Sequence, residues 1–164
     1  TRNADVLSYD TASWFADGQA GTMQVDADLV YTADGYSAQL FQVYGSSSKR
    51  VQVARGSSNS ISIYMADVVA QANFSLSGQL IKIGAPFRYI LGLEENNLAS
   101  GYNGNSLGAD LSCTLPSTLD NLYVGVQAGG SSNLNGCLLN FIYYQKRLAN
   151  SVIEANSARE YSND

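Results

Sequence analysis

Strict alternation of apolar and polar residues marks a strand near the start of the chain. In residues 21–31, GTMQVDADLVY, the side chains of Met23, Val25, Ala27 and Leu29 fall on one face and polar side chains on the other. A period of two is typical of a strand that buries one face in a core. Similar patterns follow, separated by turn residues, and they predict strands over 37–45, 49–56, 60–68 and 71–78.

The second half of the chain continues the pattern. Residues 80–95 are predicted to form one long strand or two, with Pro86 at a bulge or an edge because proline cannot donate to a strand ladder. Segment 95–108 predicts a hairpin with Asn and Gly at its tip, and 121–127 and 136–144 are the last predicted strands. About nine to eleven short strands with Gly, Ser, Asn and Asp turns indicate an all-β antiparallel sandwich or barrel.

One helix is predicted, close to the end of the sequence. Residues 151–160, SVIEANSARE, have helical rather than strand character. Ser151 with Glu154 three residues later has the spacing of a capping box, and Asn150 is an alternative cap. We expect this helix to cover a sheet edge or one end of the sandwich.

The charged residues are few, and their distribution narrows the range of partners. Only 14% of the 164 residues are charged, and the formal net charge is −5. Basic residues pair only at Lys49-Arg50 and Lys146-Arg147, so the sequence lacks the basic patch that nucleic acids or an anionic membrane surface favour. No apolar run approaches the roughly 18 residues of a membrane-spanning helix. We therefore expect neither nucleic-acid binding nor membrane insertion.

The chain contains no histidine, which excludes several kinds of active site. Neither a Ser-His-Asp or Cys-His apparatus nor a histidine-rich zinc site can be built without it. The glycine-rich phosphate-binding motifs are absent as well. A pair of carboxylates is the remaining route to catalysis. Asp26 and Asp28 lie two residues apart on one predicted strand, about 6.5 Å from each other, and carboxylate pairs of this kind hydrolyse glycosides.

The simplest interpretation of Asp26 and Asp28 is that both are solvated on the outer face of a sheet, with a catalytic pair or calcium ligands as alternatives. Calcium prefers clusters of oxygen ligands, and four acids in predicted loops could supply them: Asp17, Asp34, Asp110 and Asp120. We expect no cofactor, with bound calcium as the alternative.

The two cysteines, Cys113 and Cys137, are too far apart in sequence to fit a zinc motif. The simplest expectation is two buried thiols that act as small apolar residues. A disulfide between neighbouring strands is the alternative.

Both ends of the chain carry motifs of a known family. The end of the sequence resembles the end of the concanavalin A-like, laminin-G-like jelly-roll domains of bacteriophage tail and fibre proteins. The matching residues there are Leu122, Tyr123, Val124, Gly125, Leu134, Asn135, Gly136, Tyr143, Tyr144, Arg147, Leu148 and Glu154. The beginning is similar to that family at Ala4-Asp5, Ser13-Trp14-Phe15 and Gly21-Thr22, and the middle at Leu115-Pro116.

The resemblance covers nearly the whole chain and implies an all-β antiparallel jelly-roll sandwich with one short C-terminal α-helix. It implies one domain over residues 1–164, and because the chain begins with Thr1 we expect it to be excised from a longer virion protein. The family's usual proline after the tyrosine pair is replaced here by Gln145. Sandwich glucanases with a similar fold carry Glu-x-Asp-x-x-Glu on one strand, and neither glutamate occurs around Asp26.

The expected function is non-enzymatic binding of host-surface polysaccharide by a phage tail fibre or decoration protein located in the virion and made in the bacterial cytoplasm. The glycan candidates are Trp14, Tyr36 and Tyr102, which lie in predicted loops among polar residues, as sugar-stacking rings do. Trp14 has core packing as its alternative. The resemblance also implies contacts with other virion chains and a homotrimer in the full-length protein. The alternatives are a purely structural or capsid-decorating module and, less favoured, a glycan hydrolase.

Overall fold

Two antiparallel β-sheets and one short helix make up the described part of the chain. The structure is a computed structural model, and it describes residues 7–12, 14–15, 19–30, 37–56, 60–76, 81–82 and 84–158. Tyr36, Asp17 and Asp34, which the sequence singled out, lie outside these residues. The architecture is the predicted antiparallel jelly-roll sandwich with a C-terminal helix.

The elements are numbered here in chain order. The strands are β1 (Leu7–Asp10), β2 (Gly21–Leu29), β3 (Ala38–Ser46), β4 (Lys49–Arg55), β5 (Ile61–Asp67), β6 (Val69–Leu76), β7 (Phe87–Leu93), β8 (Leu98–Tyr102), β9 (Asn105–Asp110), β10 (Asn121–Val124) and β11 (Gly136–Tyr144), and the helix is α1 (Asn150–Ser157).

Strands that are distant in sequence are neighbours in both sheets. The six-stranded sheet, called sheet A here, has the order β1-β10-β3-β4-β5-β6, and the five-stranded sheet B has the order β11-β2-β7-β8-β9. All pairings are antiparallel. The chain therefore brings β10 next to β3 in one sheet and β11 next to β2 in the other.

The core lies between the inner faces of the two sheets. Phe41 and Ile63 from sheet A and Met23, Tyr89 and Leu91 from sheet B are fully buried in one cluster. Burying each large apolar side chain stabilises the fold by roughly 1.5–3 kcal/mol. The prediction that the four apolar side chains of β2 face the core is confirmed, since all are 0% exposed. The predicted exposed face is wrong, because Thr22, Gln24 and Asp26 are buried as well.

The outer side of β2 differs from the prediction at Asp26. This carboxylate was expected in solvent but is only 1% exposed. Arg88 on β7 holds it from the side, with Nε 2.6 Å from Oδ1 and Nη2 2.8 Å from Oδ2. Arg88 also donates from Nη1 to the carbonyl oxygen of Asn156 in α1, 3.3 Å away. Arg88 thus connects the buried carboxylate of Asp26 with the helix. Asp28 is only partly exposed.

The helix lies on the outer face of sheet B, where it contacts β7, β8 and β9, and not over an edge or an end as predicted. Ile153 is 1% exposed and packs against Ile90 and Ala99. Gly101 on β8 provides the room, since a Cβ there would lie 3.2 Å from the carbonyl oxygen of Ile153. No helix among the described residues is long and apolar enough to cross a membrane.

The predicted capping box is wrong. Ala149 is the residue before the first turn, and no side chain caps the helix. The preceding residues are fixed by tertiary hydrogen bonds instead. Arg147 donates to the carbonyl oxygen of Asn97 at 3.2 Å, and the Leu148 amide donates to the Thr22 hydroxyl at 2.9 Å. These contacts orient the start of the helix without a cap.

Two further differences concern strand boundaries. The predicted long strand 80–95 is ordered as a strand only over β7, and Pro86 immediately precedes it. Strand β1 was not predicted, because its four residues are all exposed and show no alternation of burial. The hairpin in 95–108 is confirmed: β8 and β9 are joined by Asn103 and Gly104, whose φ angles of 44° and 83° are those that an Asn-Gly turn favours.

The two cysteines are both free. Cys113 is buried, as expected, whereas Cys137 is exposed on the edge strand β11. The prediction of two buried thiols is therefore right for Cys113 and wrong for Cys137, and the alternative of a disulfide is wrong.

Candidate functional site

A row of aromatic and amide side chains crosses the outer face of sheet A. The strand register aligns Tyr123 on β10 with Gln42 on β3, Gln52 on β4 and Tyr64 on β5. Neighbouring strands lie about 4.8 Å apart, so this row is roughly 14 Å long. We call the surface formed by these four residues with Tyr44 and Arg50 the tyrosine face.

The period of two in the strands aims these side chains outward. Val43 and Val51 are 0% and 1% exposed in the core, so their neighbours along β3 and β4 point to the other side of the sheet. The three tyrosines are each half-buried, which leaves part of every ring in contact with solvent. Helix α1 covers the outer face of sheet B, whereas no helix of the described chain covers this face of sheet A.

Ring contacts hold the tyrosines in fixed orientations. Tyr44 and Tyr123 meet edge to face, with ring centroids 6.2 Å apart and an interplanar angle of 82°. The guanidinium carbon of Arg50 lies 4.7 Å from the ring centroid of Tyr64. Such contacts stabilise each pair by about 0.5–1.5 kcal/mol. The aromatic groups are thus positioned before any ligand arrives.

A relay of amide hydrogen bonds fixes the middle of the tyrosine face. The backbone amide of Ala128 donates to Gln42 Oε1 at 2.8 Å, and Gln42 Nε2 donates to Gln52 Oε1 at 3.2 Å. Gln42 is fully buried by the segment around Ala128, although it points outward from the sheet. Gln52 is partly exposed, and no described residue accepts a hydrogen bond from its Nε2. An oriented amide donor therefore faces solvent between the tyrosines.

The chemistry of the tyrosine face suits a neutral or anionic polyol. Aromatic rings offer apolar platforms, and the Gln52 amide and the Arg50 guanidinium offer hydrogen-bond donors. Ligand sites commonly combine apolar walls with a few placed polar groups in this way. Within the described residues no three His, Cys, Asp or Glu side chains lie close enough to hold a metal ion.

Trp14 lies elsewhere, at the edge of the sandwich where β1 and β10 meet β11. Its ring centroid is 5.0 Å from that of Tyr143 and 6.0 Å from that of Phe15, and its Nε1 donates to the Asp10 carbonyl oxygen at 2.7 Å. One side of the half-buried ring lines an open cleft of about 320 Å³. The remaining lining residues are mostly apolar: Leu7, Tyr9, Leu122, Val124, Leu138, Phe141 and Tyr143.

The structure therefore gives Trp14 a packing role at the rim of the core and leaves its role in glycan binding a prediction. The cleft has few hydrogen-bonding groups to recognise sugar hydroxyls, in contrast to the tyrosine face. Trp14 and the tyrosine face belong to different parts of the sandwich, and the same binding experiment can test both.

Tyr102 cannot serve as the predicted stacking platform, because its side chain is only 4% exposed. It is the last residue of β8, and its ring packs against Phe87 with the centroids 5.8 Å apart. Burial raises the pKa of its hydroxyl. The turn that follows is at the surface, but strand alternation still directs Tyr102 into the core. Tyr36 lies outside the described residues.

Among the acidic residues that suggested catalysis or calcium, Asp26 and Asp110 have structural partners, whereas Asp28 Oδ1 is buried without a hydrogen-bond partner. Asp26 is paired with Arg88, which also bonds to α1. Asp110 accepts hydrogen bonds from the amide and hydroxyl of Ser112, both at 2.9 Å. Glu95 accepts from the Leu115 amide at 2.9 Å. These bonds organise the turns that the residues occupy.

The sequence contained the pattern for the tyrosine face but not its assembly. Tyr44 alternates with Val43, Tyr64 with Ile63 and Tyr123 with Leu122, so each tyrosine could be assigned to the outer side of its own strand. What brings them together is the insertion of β10 next to β3, nearly eighty residues away along the chain. No local pattern encodes that pairing.

The fold defines the chain as a jelly-roll sandwich, and three similar solved structures share it. The CBM40 carbohydrate-binding module of the Ruminococcus gnavus IT-sialidase, bound to α2,3-sialyllactose, matches with a TM-score of 0.74 and 11% identity over 93% of this chain and 92% of that one. Domain 4 of AbnA, an extracellular arabinanase from Geobacillus stearothermophilus, in complex with arabinotriose, matches with a TM-score of 0.70 and 9% identity over 90% and 69%.

A third similar structure is the heptameric SAP-like pentraxin from Limulus polyphemus, with a TM-score of 0.61 and 13% identity over 85% of this chain and 70% of that one. No protein-family model and no curated protein sequence matches the chain. At these identities the likeness establishes the fold alone.

Proposed function

We propose that this chain is a non-catalytic glycan-binding module whose ligand lies across the tyrosine face. The observation that carries the proposal is the row of Tyr123, Gln42, Gln52 and Tyr64, in which two half-buried rings lie about 14 Å apart with the partly exposed Gln52 amide between them. That length matches two to three sugar rings. The rings supply stacking surfaces, and the Gln52 amide supplies a donor for hydroxyl groups.

Two of the similar structures support the ligand class. One was determined with α2,3-sialyllactose and the other with arabinotriose, so jelly-roll sandwiches of this shape bind oligosaccharides. The non-catalytic part of the proposal is supported by Asp26, whose carboxylate is paired with Arg88 and is only 1% exposed. A general acid or nucleophile for glycoside cleavage needs access to the substrate, which that position denies.

We further propose the biological setting that the sequence resemblance implies. In this setting the chain is part of a phage virion, in a tail fibre or a decoration protein, and it attaches the particle to host-surface polysaccharide. The support is the pair of motifs at the two ends of the sequence, including Tyr143-Tyr144 and Arg147-Leu148. Trimeric assembly and contacts with other virion chains belong to the same proposal. Weak binding by each copy would add up over many copies on one particle.

The first test is a glycan array probed with the fluorescently labelled chain, displayed in several copies to gain avidity. Tyr123→Ala and Tyr44→Ala should each weaken binding about tenfold, as loss of a central aromatic contact does. Tyr144→Ala is the matched control, because Tyr144 is also half-buried but lies in sheet B on β11. If Tyr123→Ala and Tyr44→Ala fold and bind as tightly as the unmodified chain and Tyr144→Ala, the tyrosine face is excluded as the site.

The second test addresses the setting. Binding of the multivalent chain to a panel of bacterial strains is measured before and after periodate oxidation of surface sugars. Strain-dependent binding that periodate abolishes supports host recognition. Absence of binding to both the array and the cells would favour a structural role without sugar recognition.

A further inference from the structure

Arg50 is the one residue of the tyrosine face with a formal charge. It lies on β4 and points outward, since Val51 beside it is in the core. Its Nη1 donates to the Ser47 carbonyl oxygen at 2.6 Å, and its guanidinium carbon is 4.7 Å from the centroid of the Tyr64 ring. Two contacts therefore anchor the cationic group on the surface proposed to bind glycan.

The anchored guanidinium has two unpaired donors, of which only Nη2 can be reached by a ligand. Its Nε is buried without a hydrogen-bond partner, and no described residue accepts a bond from Nη2. Among the ion pairs of the described chain, Lys49 pairs with Asp67 and Arg88 with Asp26, whereas none joins Arg50 to a carboxylate. A buried, unpaired donor of a charged group is costly, so such groups call for an explanation.

A second arginine of the chain, Arg88, shows which group a guanidinium donor pairs with in this protein. Arg88 binds Asp26 through Nε and Nη2, at 2.6 and 2.8 Å from the two carboxylate oxygens. This side-on geometry matches two parallel N–H donors to the two oxygens of one carboxylate. In Arg50, Nη1 is committed to Ser47 and Nε is closed off from solvent, so Nη2 is the donor that a ligand can reach. A carboxylate delivered by a ligand would accept a hydrogen bond from it.

We infer that Arg50 recognises the carboxylate of an acidic sugar, so that the module prefers glycans containing a uronic or sialic acid over neutral ones. This inference rests on the proposed function and narrows its ligand class. The carboxylate accepts a hydrogen bond from Nη2, while the rest of the sugar chain runs along the row toward Gln52 and Tyr123. The net charge of −5 opposes an anionic ligand only weakly. At physiological salt, exposed charges that are farther apart than about 8 Å are largely screened from each other.

The test uses an array on which each acidic oligosaccharide is printed twice, once native and once with its carboxylates converted to methyl esters, beside neutral oligosaccharides. We expect the 164-residue chain to bind native acidic glycans about tenfold to a hundredfold more tightly than their esters, the range of a charge-assisted hydrogen-bond pair. Arg50→Gln should bind the native and esterified forms alike, at the level of the ester.

Lys146→Gln is the matched control, since it removes one positive charge from an exposed residue that follows β11. It should retain the preference for carboxylates. If the chain binds native and esterified glycans equally, or neutral glycans only, and Tyr123→Ala weakens that binding, the glycan-binding function stands and the role of Arg50 is refuted. If no glycan on the array binds, both proposals fail.

Discussion

Gln42 and Gln52 face each other across β3 and β4, and the buried amide fixes the exposed one: Gln42 Nε2 donates to Gln52 Oε1 at 3.2 Å. Gln42 itself is held by the Ala128 amide, 2.8 Å from its Oε1. The exposed amide of Gln52 therefore presents its nitrogen to solvent in a defined direction. Preorganisation of this kind lowers the entropic cost of binding a ligand.

The two glutamines should consequently respond differently to substitution. Gln42→Leu leaves the Ala128 amide without its acceptor, and we expect the free energy of unfolding to fall by about 1–3 kcal/mol. Gln52→Ala removes the acceptor of Gln42 Nε2 as well as the free Nε2 donor, but it does so at the partly exposed end of the relay, where water can replace the amide. Its free energy of unfolding should therefore fall by about 1 kcal/mol or less, while glycan binding weakens. Urea denaturation and glycan titration of both variants check this. If both variants lose the same free energy of unfolding, the claim that the buried Gln42 amide matters more for stability than the exposed Gln52 amide is wrong.

The ion pair between Asp26 and Arg88 predicts a large effect on stability. The side chains are 2% and 16% exposed, so removing one partner leaves a charge with little solvation. Asp26→Ala should lower the free energy of unfolding by about 3–5 kcal/mol. The double variant Asp26→Leu/Arg88→Met should be more stable than Asp26→Ala, because it removes both charges. Urea denaturation of the three proteins tests this, and a double variant no better than the single one would contradict the electrostatic explanation.

The fold followed from the sequence wherever burial alone decides the pattern. Strand β2 was predicted because Met23, Val25 and Leu29 must face the core, and they do. The hairpin at Asn103-Gly104 was predicted because few residues other than these tolerate positive φ at both turn positions. Both are local requirements, which a single sequence contains in full.

The errors arose where long-range packing decides. Asp26 alternates like a solvated residue, yet it is buried and paired with Arg88, which in turn bonds to α1. Tyr102 precedes a surface turn, yet its position in β8 directs it inward. The candidate site depends on strand order, since Tyr44 and Tyr123 become neighbours only when β10 pairs with β3. Strand order cannot be deduced from periodicity.

The two free thiols should differ in reactivity. Cys137 is exposed, whereas Cys113 is buried, and burial together with the nearby charge of Asp110 raises the pKa of the Cys113 thiol. The thiolate is the reactive form, so a thiol reagent at pH 8 should modify Cys137 quickly and Cys113 only after unfolding. Mass spectrometry of native and urea-unfolded protein, with Cys137→Ser as control, measures this. Rapid modification of native Cys137→Ser would contradict the buried position of Cys113.

The stability of the protein should fall at alkaline pH because of Tyr89. Burial raises the pKa of its hydroxyl above the ordinary value of 10.0. In the folded state the phenol keeps its proton, whereas in the unfolded state it ionises as the pH passes 10. The unfolded state then binds fewer protons, so the free energy of unfolding decreases with rising pH, by about 1.4 kcal/mol per pH unit above 10.

Tyr89→Phe isolates this contribution. The Tyr89 hydroxyl is buried without a hydrogen-bond partner, so its removal should leave the stability at pH 8 unchanged or slightly higher. Between pH 10 and 11 the variant should lose about 1 kcal/mol less than the unmodified protein. Urea denaturation at pH 8, 10 and 11 provides the comparison. If the free energy of unfolding falls equally in both proteins, Tyr89 ionises at the same pH in the folded and unfolded states, which contradicts the prediction.

Substitutions of Trp14 should change the stability of the protein without changing its affinity for glycan. The Trp14 ring contacts Tyr143 and Phe15 at the rim of the core, and Trp14→Ala should lower the free energy of unfolding by about 3 kcal/mol. Trp14→Phe should recover much of that loss by keeping an aromatic ring. If the ligand lies on the tyrosine face, the folded fraction of both variants should bind glycan with unchanged affinity. A folded Trp14→Phe variant that loses binding, beside a Tyr123→Ala variant that keeps it, would instead place the ligand in the cleft between β1, β10 and β11.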